Sequence, residues 1–303
     1  MLSSTAVRQF SSTVAAMAKV NNVTIIGAGL MGSGIAQVTA NAKINVTLVD
    51  TSDAALDKAK KNIDTSLRRV AKKKFAEDAK AADSFVNSTL SHLKTSTSVT
   101  DAVKDADLVI EAIVENIEIK KKLFADVEKA AKKSAILTTN TSSLCLSDIG
   151  GDLARKNQFG GLHFFNPVPM MKLLEVVRFE HTSDETFNSL LEYGKAIGKT
   201  TDTPGFIVNR LLVPYLFEAI RMIERGDATA EDIDTAMKLG AGYPMGPFEL
   251  SDYVGLDTSK FIMDGWSKNY PDEPLFRPSE KLNELVKDGK FGRKSGEGFY
   301  KYK

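Results

Sequence analysis

Three observations predict an α/β fold in which a mostly parallel sheet domain is followed by an all-helical C-terminal domain. Short β-rich runs alternate with longer amphipathic stretches from Val20 to about Ile197, the pattern of a sheet covered by helices on both faces. A glycine-rich turn follows the first of those runs, and no strand pattern follows Gly205. With 303 residues, 43% hydrophobic and 26% charged, the chain is long enough to build two cores. Its 40 basic and 39 acidic side chains create no global field that would gather nucleic acid or an anionic membrane. Cys145 is the only cysteine, which excludes an internal disulfide and a cysteine-rich zinc site. No run approaches the roughly 18 consecutive apolar residues of a membrane-spanning helix.

Residues 1–19 are rich in Ser, Thr and Ala, carry Arg8 and Lys19, and precede the first acidic residue, Asp50. That composition predicts a mitochondrial transit segment, and hence a matrix location, against the alternative of an arbitrary N-terminal tail. Strands are predicted at 23–26, 44–49, 107–112, 135–139, 159–165 and 173–179. Helices are predicted from Gly29, through a long basic stretch after Asp50, over 117–131 and over about 185–197. Thr203-Pro204-Gly205 then punctuates the chain, so the sheet domain is placed at 20–203 and the helical one at 204–303. In the latter, Phe206 to Arg225 has apolar residues at helical spacing. Thr229 with Asp232 has the form of a capping box ahead of Ile233, Met237 and Leu239.

Gly27-Ala28-Gly29-Leu30-Met31-Gly32 has the G-x-G-x-x-G spacing between a predicted strand and a predicted helix. The first glycine permits a tight turn, the second lets backbone approach a pyrophosphate, and the third lets helix pack on strand. Asp50 ends the second strand, where a carboxylate accepts hydrogen bonds from the adenosine ribose and repels a ribose phosphate. The reading is a Rossmann-like domain binding NAD rather than NADP, with a turn that merely packs tightly as the alternative.

Two segments are more particular: His163-Phe164-Phe165-Asn166-Pro167-Val168-Pro169, followed by Leu174-Glu175-Val176-Val177, and Asp202-Thr203-Pro204-Gly205-Phe206-Ile207-Val208-Asn209-Arg210. With Asn140-Thr141-Ser142-Ser143, Gly246-Pro247-Phe248 and the stretch Gly292 to Tyr300, the chain from Val20 to Lys303 closely resembles the L-3-hydroxyacyl-CoA dehydrogenases of the single-function mitochondrial, short-chain type. The resemblance implies oxidation of the 3-hydroxyl of an acyl-CoA to a ketone in fatty-acid β-oxidation, and a homodimer formed through the helical domain. Such a reaction needs a base at the hydroxyl, and an imidazole titrating near neutrality suits it. His163 is the candidate, with Glu175 positioned to fix its tautomer. Ser142 and Asn209 match family positions near the substrate oxygens, with helix capping and an interdomain bond as their competing roles. Glu115, Lys120, Asn166 and Lys294, together with Ser142, match positions around the cofactor. His92 and His181 stand in no motif, and no catalytic metal is expected.

Between Lys58 and Lys80 a helical stretch carries nine basic residues among few acids. A charge run is usually a solvated face, but coenzyme A brings phosphates that such a face can hold. Ser66 and Lys73 match family positions that contact it. One departure is visible: only Thr200-Thr201-Asp202 separates Lys199 from Thr203-Pro204-Gly205, where the family has a longer strand-like segment, so a sheet-edge strand is expected to be lost. Two other functions remain: a β-hydroxyacid dehydrogenase without CoA, and a non-catalytic cofactor-binding relative.

Overall fold

The computed structural model describes residues 20–202 and 207–302. The expected transit segment and the Thr203-Pro204-Gly205 punctuation lie outside them. The chain divides into two compact units, residues 1–205 and 206–303.

The first unit is built in the order β1 (Asn22–Ile26), α1 (Leu30–Asn41), β2 (Asn45–Val49), α2 (Asp53–Lys74), α3 (Ala79–Leu90), β3 (Leu93–Ser96), α4 (Val99–Ala102), β4 (Leu108–Glu111), α5 (Ile117–Ala130), β5 (Ile136–Thr139), α6 (Leu146–Gly150), β6 (Phe159–Phe164), β7 (Leu173–Val177), α7 (Asp184–Ala196) and β8 (Thr200–Asp202). The eight strands form one sheet in the order β3-β2-β1-β4-β5-β6-β7-β8, parallel at every pairing except β6 with β7. Central strands β4, β5 and β6 are buried at every position, as strands covered on both faces are, and they carry Glu111, Thr138, Thr139 and His163 into the interior. Helices α2, α3, α5 and α7 start on Ser52, Asp78, Asn116 and Ser183, each accepting a backbone N–H from three residues on. Helix α1 is the exception among these long helices: its N-cap is Gly29, and no side chain caps it.

The expected loss of an edge strand is corrected. Thr200, Thr201 and Asp202 form β8 and pair in parallel with Leu173, Leu174 and Glu175 of β7. An edge strand needs a ladder on one side only, and three residues, two of them β-branched threonines, suffice to make it.

The second unit comprises α8 (Ile207–Arg225), α9 (Ala230–Gly240), α10 (Pro247–Val254), α11 (Leu256–Asn269) and α12 (Glu280–Lys287). Thr229 accepts the Asp232 N–H and starts α9 as its spacing predicts, although Leu239 is 83% exposed rather than on the packed face. Val213, Phe217, Leu256, Met263 and Phe276 form one core and Ala219, Ile220, Ile233 and Phe248 another. Buried Asp234 accepts the Phe248 and Glu249 amides at the start of α10, and the Tyr300 hydroxyl. Among its described residues this unit has isolated β-bridges but no strand.

Candidate active site

The strand order reverses between β1 and β4, and the crevice beyond their C-terminal ends is where an open α/β sheet receives ligands. Gly27 sits there at φ +107°, and a Cβ on it would lie 2.4 Å from the Ala112 carbonyl oxygen that follows β4. A Cβ on Gly32 would lie 1.8 Å from the Gly27 carbonyl, so α1 can approach β1 only because residue 32 is glycine. Gly29 differs: nothing lies within 4 Å of the Cβ it lacks. The open space falls at the uncapped N-terminus of α1, where backbone amides and the helix dipole favour an anion. A cleft of about 430 Å³ adjoins the turn, lined by Gly27, Gly29, Asp50, Ile113, Val114 and Leu123 among others. Asp50 accepts the Ala28 N–H at 2.8 Å through Oδ2 and the Ser52 N–H at 3.2 Å through Oδ1, which locks the carboxylate at the cleft with lone pairs left for further donors. Glycines, amides, acid and cleft fit a dinucleotide. Within the motif Ala28 is buried, whereas Leu30 is 72% exposed and Met31 half-buried.

Glu115 and Lys120 occupy one polar network together with Glu111, which the sequence reading missed. Glu111 ends β4 and is wholly buried; its Oε1 lies 2.6 Å from Lys120 Nζ and accepts the Ile113 N–H, while Oε2 accepts the Thr139 hydroxyl. Lys120 is only 1% exposed. Its ammonium also lies 3.1 Å from Glu115 Oε2. Glu115, half-buried ahead of α5, accepts the Ser142 N–H at 3.0 Å and the Thr141 hydroxyl. The pairing makes the burial tolerable, since an isolated charge in the interior is costly. An acid at the end of the otherwise apolar run Leu108-Val109-Ile110 was the available signal.

Ser142 is thus held by its backbone, and its Oγ lies 3.2 Å from His163 Nε2. His163 on β6 faces Glu175 on β7 in the antiparallel register, and Nδ1 lies 2.7 Å from Glu175 Oε2. Both side chains are almost fully buried. With Nδ1–H donated to the carboxylate, Nε2 carries the lone pair and accepts the Ser142 hydroxyl. Asn140 accepts the Phe164 N–H at 2.9 Å and ties the end of β5 to the end of β6. The structure therefore brings Ser142, His163 and Glu175 together, and Glu115 and Lys120 behind Ser142.

Exposed Asn166 lies in the connection from β6 to β7 and, with Ser66 and Arg69 of α2, lines a second cavity of about 490 Å³ next to Gly29 and Leu30. Lys73, one helical turn beyond Arg69, is exposed and outside that lining. Asn209 and Lys294 belong to the helical unit. Asn209 is half-buried in the first turn of α8, and the Lys294 ammonium lies 2.5 Å from Asp257 Oδ1. His92 pairs with Asn45 and His181 with Glu180. Among the described residues no group of three or more His, Cys, Asp or Glu could hold a metal ion.

A doubly wound sheet with a glycine turn, an acid after β2 and a buried histidine–carboxylate pair defines the class of pyridine-nucleotide dehydrogenases. Residues 22–202 match the model of the 3-hydroxyacyl-CoA dehydrogenase NAD-binding domain and 205–302 that of the same family's C-terminal domain. A probable 3-hydroxyacyl-CoA dehydrogenase of Caenorhabditis elegans is 70% identical over the whole of both chains. The mitochondrial hydroxyacyl-coenzyme A dehydrogenase of Homo sapiens is 59% identical, covering 97% of this chain and 96% of its own. The crystal structure of (S)-3-hydroxybutyryl-CoA dehydrogenase from Ralstonia eutropha superposes with a TM-score of 0.86 at 38% identity, covering 94% of this chain and 100% of that one. The chain belongs to the 3-hydroxyacyl-CoA dehydrogenase family and is an NAD-dependent oxidoreductase.

Proposed function

We propose that this enzyme reversibly oxidises L-3-hydroxyacyl-CoA to 3-ketoacyl-CoA, with His163 as the base. The observation that carries the reading is the Ser142–His163–Glu175 line, in which one imidazole nitrogen meets a buried carboxylate and the other a hydroxyl. His163 Nε2 takes the proton of the substrate 3-hydroxyl, and Glu175 balances the imidazolium so formed. Ser142 donates a hydrogen bond to the oxygen as it becomes a ketone, and Asn209 is assigned to the same oxygen or to the thioester carbonyl. NAD, when bound, supplies the acceptor for the hydride leaving C3. The turn Gly27 to Gly32 with Asp50 would hold its pyrophosphate and adenosine ribose. Glu115, Lys120, Asn166 and Lys294 would surround the remainder.

Acyl-CoA is the substrate in this reading, with Ser66, Lys73 and the basic face of α2 assigned to coenzyme A. Residues 20–203 are assigned to the cofactor and 204–303 to substrate and dimerisation. Residues 1–19 would direct the chain to mitochondria and be removed there, giving a matrix homodimer of β-oxidation; relatives named mitochondrial in man, pig and rat support that location. Purified protein with NAD and 3-hydroxybutyryl-CoA should form NADH, and free 3-hydroxybutyrate should be a poor substrate. Comparable rates on the free acid would favour the reading without CoA, and no turnover of either would favour a non-catalytic relative. N-terminal sequencing of the protein recovered from mitochondria checks the transit segment, and sedimentation checks the dimer.

A further inference from the structure

Lys199 follows Gly198, whose φ of +72° turns the chain out of α7, and immediately precedes β8. Its side chain is only 8% exposed, yet no carboxylate among the described residues pairs with it. Burial alone pulls its ammonium below the usual lysine range. The donors are spent on two backbone carbonyls, Val168 O at 2.5 Å and Met171 O. Both belong to the connection between β6 and β7, which joins the strands carrying His163 and Glu175. That connection curls on itself through the Met170 and Met171 amides, both donated to Pro167 O. On its other side Val168 is buried against α1, where a Cβ on Gly34 would lie 2.8 Å from the Val168 Cβ. Asn166 to Met170 form one wall of the cavity lined by Ser66 and Arg69.

An ammonium buried without a counter-charge is costly, and an apolar chain of the same length would fill the space without that cost. What the ammonium adds is donors that gather two carbonyls from one irregular segment. We propose that Lys199 is a positioning residue that holds the Val168–Met171 part of that connection as a fixed wall of the cavity and thereby sets affinity for the acyl-CoA ester. The affinity part rests on the dehydrogenase reading above; the holding of the connection does not.

The test is Lys199→Met, which keeps length and removes the donors. KM for acetoacetyl-CoA should rise about tenfold while kcat and the KM for NADH stay within about threefold, the pattern of lost binding rather than lost chemistry. In ligand-free protein, amide exchange at Met170 and Met171 should accelerate about tenfold or more, with the β6 amides unchanged. Lys199→Arg, which retains charge and donors, should restore part of the affinity. Unchanged exchange with unchanged KM would overturn the assignment, as would a uniform rise in exchange across the sheet with kcat and both KM values worsening together. Wild-type protein inactive on CoA esters would remove the dehydrogenase reading, and the exchange experiment would still decide whether Lys199 holds the connection.

Discussion

Glu175 stands directly opposite His163 across the one antiparallel pairing of the sheet, and the register delivers its carboxylate to Nδ1 at 2.7 Å. Opposed residues in an antiparallel pair share a face, so the contact follows from strand pairing without any special loop geometry. The same pairing leaves Nε2 toward Ser142.

Glu175→Gln preserves the shape of that contact and removes its charge. The expected result is a fall in kcat of roughly 10²- to 10⁴-fold, the range of general-base catalysis, with the NAD dissociation constant little changed. His163→Gln should be as severe. Steady-state kinetics and NAD titration by fluorescence check both, and wild-type rates in either variant would end the base assignment.

Two of the turn glycines should respond differently to alanine. Gly27→Ala puts a Cβ 2.4 Å from the Ala112 oxygen at a positive φ, and should cost about 2 kcal/mol or more of stability. Gly29→Ala meets no protein atom within 4 Å, so thermal unfolding should stay near wild type while NAD affinity drops. Equal NAD binding in the Gly29 variant would argue that no pyrophosphate approaches there.

Lys120→Met leaves Glu111 and Glu115 without their shared cation. Removing one partner of a buried ion pair costs about 3–5 kcal/mol, so thermal unfolding should shift down by several degrees. Because Glu115 also holds the Ser142 amide, kcat should fall as well. A variant with unaltered unfolding would contradict the network's role.

Acid stability should depend on Asp107. Burial alone would raise its pKa, but the hydrogen bond from Lys132, the Asn21 and Asn22 amides and the Lys132 charge outweigh that and hold it below the ordinary carboxylate value. A depressed folded-state pKa contributes stability that is present above the unfolded value of about 4 and lost as pH falls through the folded one. Asp107→Asn should therefore be destabilised at pH 7 and show a flatter loss below pH 4, read by denaturant unfolding across pH.

Local rules made much of the sheet unit legible. The switch from strand to helix periodicity and the glycine turn act within a few residues of chain, and so do the capping spacings. Even the approach of Glu175 to His163 was visible as two strands joined by a proline-rich turn. The edge strand at Thr200 was misjudged because three residues carry too little pattern, and only a neighbour to pair with makes them a strand.

What the sequence determined by itself was the class of fold and the dinucleotide turn, because periodicity and φ requirements are properties of a short segment; His163 and Glu175 stood out only through the family resemblance. Only the tertiary structure decided that Lys120 is buried between two glutamates, that Glu111 belongs with them, and that Lys199 grips two carbonyls far away in the chain. The cost or tolerance of a buried charge depends on which distant groups surround it, and no local pattern records that.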